Sequence, residues 1–121
     1  MIYVQKNGFL GGKTKFMANP RTIIKEKHNK NQEQLEIAIM KILAYEGYQP
    51  VVYKGENVFK KGDGFWTAEE YIKTEYSGDE ITISGWVLFY GKERELKGFV
   101  GCVPKKDCRK SIDKILAVVK S

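Results

Sequence analysis

The sequence is short of the residues that most chemistries use. His28 is its one histidine, Cys102 and Cys108 are its two cysteines, and it holds three prolines. A Ser-His-Asp or Cys-His system would therefore need His28 delivered to a core residue from a lysine-rich segment, and a solvated histidine is the expectation. The two cysteines fall on different expected elements and form no CxxC pair, which argues against a disulfide scaffold and against a cysteine zinc site. A thiolate of Cys108 near a helix N-terminus has a physical basis in a lowered pKa, but it lacks a positioned base. No apolar run approaches the ~20 residues that a bilayer crossing requires, and no secretory leader pattern opens the chain. The expectation is a cytoplasmic chain.

What is present is ordinary in amount and uneven in place. The 121 residues are 42% hydrophobic and 30% charged, values that fit one soluble domain with a single modest core. The net charge of +6 is local. Residues 1 to 31 hold seven basic side chains against Glu26, while the other 90 residues hold 14 basic and 14 acidic ones. Residues 1 to 31 thus read as a basic, glycine-containing N-terminal arm, mobile or loosely docked, and residues 32 to 121 as the folded domain.

Periodicity supplies the architecture. Asn31 with Gln34 marks a helix start, Leu35, Ala38, Ile39, Ile42, Leu43 and Tyr45 recur at helical spacing, and Gly47 stops the run, giving a helix over 32–46. "YQPVVYKG" and "ENVFKKGDG" read as two strands about a turn at Gly55. "YIKTEY", "SGDE" and "ITISGWVLFY" read as a hairpin whose second arm sets Ile81, Ile83, Val87 and Phe89 against Thr82, Ser84, Trp86 and Leu88. "ELKGFVGCV" reads as a last strand, and a helix over 104–119 presents Cys108, Ile112, Ile115, Leu116 and Val119. The expected fold is α+β, a two-layer sandwich of helix, four- to five-stranded antiparallel meander and helix.

Several motifs are imitations. "NGFLGGKT" matches the end of a phosphate-binding loop at Gly12, Lys13 and Thr14, yet Asn7 replaces its first glycine and Pro20 leaves no room for the helix that must follow. "FKKGDGFWTAEE" imitates a calcium loop but puts Phe59 and Lys61 where carboxylates belong, so a tight turn about Asp63 is the better account. Glu69 and Glu70 are adjacent on a strand and point to opposite faces, which makes them surface charges rather than an acid pair. No catalytic set, metal or cofactor is expected.

Two features carry functional expectations. On the strand face opposite the isoleucines, Trp86, Leu88 and Tyr90, with Tyr71 and Trp66 nearby, form an aromatic set. It is either a surface that docks a protein or a second copy, or a second core surface covered by something else. The alternative is nucleic-acid binding, in which Lys13, Lys15, Arg21, Lys25 and Lys27 of the arm join Lys105, Lys106, Arg109 and Lys110 of "PKKDCRK" on phosphates.

"FKKGDGFWTAEEYIKTEY", "ISGWV" and "ELKGFVGCVPKK" together resemble a small bacterial domain in which K-x-G-x-G-x-x-T-A, G-W-V and L-x-G-F-x-G-x-x-P-K-K motifs recur before a final helix. The resemblance covers about Tyr48 to Ser121. In some members a zinc ribbon or a membrane segment precedes the domain, where this chain carries its basic arm. The resemblance implies an αβββ(β)α order and lends no catalytic residue, so the expectation is a non-enzymatic binding or accessory module.

Overall fold

The structure is a computed structural model that describes residues 20–98 and 101–121. Eight elements follow one another: β1 (Thr22–Lys27), α1 (Gln32–Tyr45), β2 (Gln49–Tyr53), β3 (Glu56–Lys61), β4 (Glu69–Ser77), β5 (Glu80–Phe89), β6 (Lys92–Arg94) and α2 (Cys102–Lys120). The strands form one antiparallel sheet in the order β1-β5-β4-β3-β2, with β6 also paired to β5. β1 runs along Glu80 to Gly85 and β6 along Val87 to Phe89, so the two lie end to end on the same edge of β5. The class is α+β, an open antiparallel sheet with two helices packed on one face.

Two expectations change. Thr22–Lys27, assigned from sequence to a loosely docked arm, is a strand whose residues alternate between half-buried and exposed. It was hidden because an edge strand needs few apolar anchors: Ile24 packs on the core, while Thr22 and Glu26 occupy the other inward positions. The folded unit thus begins before residue 32. "ELKGFVGCV" supplies no strand among its described residues; pairing with β5 ends at Arg94, and α2 has already begun at Cys102. The expected hairpin in "IYVQK" and the glycine-rich loop at Asn7 to Thr14 lie outside the described residues.

The other elements form for legible reasons. Asn31 Oδ1 accepts the Gln34 amide at 3.0 Å and caps α1, and Gly47 ends the helix region at φ +96°. Leu35, Ile39 and Leu43 of α1 meet Cys108, Ile112, Ile115 and Val119 of α2 over Ile72, Ile81 and Ile83 of the sheet. Gly85 lets α2 approach: a Cβ there would sit 2.6 Å from Ile112 Cδ1 and 2.8 Å from Leu96 Cδ1.

Candidate functional site

The five aromatic and apolar candidates do not form one patch. The β4–β5 register sets Tyr71 opposite Trp86, on the face away from the helices. Both are buried, and their rings stack at 5.4 Å with an 8° interplanar angle. Tyr53 packs against both, and Leu88 is half-buried at the margin of the cluster. This is a second, small core on the open face of the sheet.

An ionic cover lies over it. The Arg21 guanidinium sits 3.7 Å from the Trp86 ring centroid and bonds both Glu56 and Glu93. Tyr53 donates to Glu93 at 2.8 Å, and Lys73 donates to Glu56 at 2.8 Å. The Arg21 hydrogen bond is the leading reason that Glu56 is held down to about 2, and it holds Glu93 below the usual carboxylate range as well. Arg21 was expected on a phosphate; its guanidinium is spent on this cover instead.

Trp66 and Tyr90 are elsewhere. Trp66 is 83% exposed in the β3–β4 loop, beside Phe65 at 80%, and Tyr90 is 94% exposed in the β5–β6 turn. Both loops lie at the end of the sheet where Glu69 pairs with Leu88. With Gly64 and Leu88 these three aromatics line a groove of about 410 Å³.

Hydrogen bonds hold the backbone that presents Phe65 and Trp66. Asp63 Oδ1 accepts the amides of Phe65, Trp66 and Thr67 at 2.9, 2.9 and 3.2 Å, so one carboxylate organises the loop tip. Those bonds hold the Asp63 carboxyl below its ordinary value. Gly62 at φ +96° is obligatory, because a Cβ would fall 2.2 Å from the Ala68 carbonyl oxygen. Tyr90 has φ 51° and Gly91 φ 74°, a two-residue turn that asks for asparagine or glycine at its first position and holds tyrosine instead. Phe65 was missed from sequence; its signal is its place next to Trp66 directly after Gly62-Asp63-Gly64, in a loop where apolar residues lack a core to face.

The remaining cations are dispersed. Lys13 and Lys15 lie outside the described residues. Lys105 is buried and donates to the Lys97 carbonyl at 2.8 Å, which ties the start of α2 to the preceding segment. Arg109 bonds Asp113 within α2, and Lys27 pairs with Asp79 on the sheet edge. Lys25, Lys106 and Lys110 are exposed on β1 and α2.

Three polar residues correct the reading from sequence. His28 is buried rather than solvated: its amide donates to the Asp79 carbonyl and its Nδ1 accepts the Lys30 amide. Glu70 is buried rather than a surface charge, accepting from the Tyr48 hydroxyl at 3.0 Å, and burial followed by the facing Asp107 carboxyl pushes it up to about 7. Cys108 is fully buried, its thiol directed at the Tyr71 carbonyl 3.6 Å away, and burial pushes it up to about 12. A thiol in that state is neutral at physiological pH and shielded from solutes, which removes the physical basis for a reactive Cys108.

No family model, curated protein or solved structure matches the chain. Among the described residues no cluster of histidine, cysteine, aspartate and glutamate could hold a metal ion, and no helix is long and apolar enough to cross a membrane.

Proposed function

We propose that the protein is a non-enzymatic interaction module that docks a protein partner through the aromatic end formed by Phe65, Trp66 and Tyr90. One observation carries the reading: three large aromatics are exposed together at one end of the sheet, two of them on a loop whose backbone Asp63 holds. Exposed aromatics cost solubility, and rigid ones lose little entropy on binding, which is the usual profile of interface hot spots. The stack of Tyr71 and Trp86 serves the fold. The phosphate-binding alternative is disfavoured by the engagement of Arg21 and Lys105 with protein acceptors.

Replacing Trp66 with a photo-crosslinking residue in the source cell tests the reading, with Lys27, a similarly exposed position, as control. The expected result is a discrete protein adduct from position 66 that is absent from position 27 and abolished by Tyr90→Ala. Equal, diffuse labelling from both positions would refute docking at this end. Steeply salt-dependent binding of labelled RNA or DNA that survives Trp66→Ala would favour the basic residues instead.

A further inference from the structure

Among the described residues, Glu70 is the one acidic side chain that the fold buries. Strand parity gives it the face of Ile72, beneath the helices, and its register neighbours are Lys61 on β3 and Val87 on β5. Charged and polar groups reach it from three sides. From β3, Lys61 donates to Asp107 Oδ2 at 2.8 Å. From α2, the Asp107 carboxyl stands within hydrogen-bond reach of the Glu70 carboxyl, one residue before the buried Cys108 thiol. From the segment that follows α1, the Tyr48 hydroxyl donates to Glu70 Oε1 at 3.0 Å. Beyond Lys61, Glu46 accepts from Lys114 at 2.7 Å and from Ser111 at 3.0 Å. Lys110, exposed on α2, acts on Asp107 from the solvent side.

Three carboxylates, Glu46, Glu70 and Asp107, thus meet two bonded ammonium groups, Lys61 and Lys114. Lys114 is spent on Glu46, which leaves Lys61 alone beside a pair of carboxyl groups. Two carboxyls that share a site do not both ionise readily, so a proton makes up the difference. Exposure decides where it sits. The Asp107 side chain is 40% exposed and paired with Lys61, whereas Glu70 is 6% exposed and accepts from a neutral hydroxyl. The charge therefore stays on Asp107, and the protonated Glu70 donates to it.

We propose that Glu70 and Asp107 share one proton in the folded protein, and that this proton latches the start of α2 to β4 until rising pH removes it. Burial, and after it the facing Asp107, pushes Glu70 up to about 7, so the latch titrates at neutral pH. An unfolded glutamate titrates at about 4.3. A group raised in the fold contributes its stability in full below the unfolded value and loses it as pH rises through the folded one, so the window runs from about pH 4 to 7. Once the proton leaves, Glu70 and Asp107 repel across a single lysine. The α2 turn that carries Asp107 is the side that gives way, because its carboxylate already meets solvent while Glu70 is fixed in a paired strand.

Carbon-13 NMR of the full chain tests this, with the Glu70 side-chain carboxyl assigned by through-bond correlation to its own amide and followed as pH is raised. The expected midpoint is about 7. It should move down in Asp107→Asn, which removes the repelling charge and frees Lys61 for Glu70. Amide-exchange protection in the first turns of α2 should fall as the wild type passes through that midpoint. Glu70→Gln keeps the hydrogen bonds of the protonated form and should hold that protection constant. Between pH 5 and 8 the folding constant of the wild type should fall on the order of a hundredfold relative to this variant. A Glu70 midpoint in the ordinary carboxylate range overturns the proposal, and so does one that Asp107→Asn leaves in place. A midpoint near 7 with unchanged α2 protection in the wild type overturns the latch, and these wild-type readings decide even if Glu70→Gln fails to fold.

Discussion

Trp86 and Trp66 lie twenty residues apart in sequence and serve opposite ends. Trp86 has no exposed surface, stacks on Tyr71 and is covered by the Arg21 guanidinium, whereas Trp66 is 83% exposed on a loop tied down by Asp63. The difference follows from register. Trp86 alternates with Gly85 and Val87 inside a paired strand, so its side chain stands on the open face beside Tyr71 of the neighbouring strand and under whatever crosses that face. Trp66 precedes the first residue of β4, and nothing in the pairing pattern turns it inward. An aromatic residue in a ladder becomes core even on the open face, while one in a loop stays available.

The comparison can be broken at its buried member first. Trp86→Ala removes the largest buried side chain and strands Arg21 above a void, so a loss of about 3–5 kcal/mol is expected in urea unfolding. A loss below about 1 kcal/mol would mean that the open face is not a core.

Arg21→Ala acts on the same cluster with a smaller effect, about 2 kcal/mol, because the guanidinium is partly exposed and Lys73 still pairs with Glu56. Its pH signature is separate. Glu56 is held near 2 in the fold against an unfolded value of about 4.3, so its contribution is present above about pH 4 and lost as pH falls toward 2. Denaturation measured over that window should show a shallower acid slope in the Arg21→Ala protein than in the wild type.

At the exposed end the expected effects shrink and one changes sign. Tyr90→Asn places a residue suited to φ 51° in the turn and should stabilise the protein by about 1 kcal/mol in thermal unfolding. If it also weakens partner capture, the Tyr90 ring is part of the docking contact. Trp66→Ala should shift stability by less than about 0.5 kcal/mol, and a larger loss would place Trp66 in the fold's support rather than on its working surface.

How far the sequence disclosed this arrangement varies with the kind of signal. The β2–β3 and β4–β5 hairpins and both helices were readable because Lys54–Gly55, Gly78 and Asn31 punctuate alternating or helical runs. β1 was not, since an edge strand with two isoleucines resembles the basic arm around it. The aromatic candidates were found, but parity along the chain cannot say that Arg21, Glu56 and Glu93 would cover Trp86 while Trp66 stays in a loop. That separation depends on contacts between residues 35 and 72 positions apart. The burial of Glu70 was equally hidden, because the Tyr48 hydroxyl that it accepts from lies 22 residues away.

Fluorescence of single-tryptophan variants tests the contrast most directly, since Trp66 and Trp86 are the two tryptophans of the chain. In Trp66→Phe, where Trp86 alone reports, the emission should be blue-shifted and resistant to acrylamide. In Trp86→Phe, where Trp66 alone reports, it should be red-shifted and readily quenched. Ready quenching of Trp86 in the folded Trp66→Phe protein would contradict the account, because the open face would then be exposed surface instead of a second core.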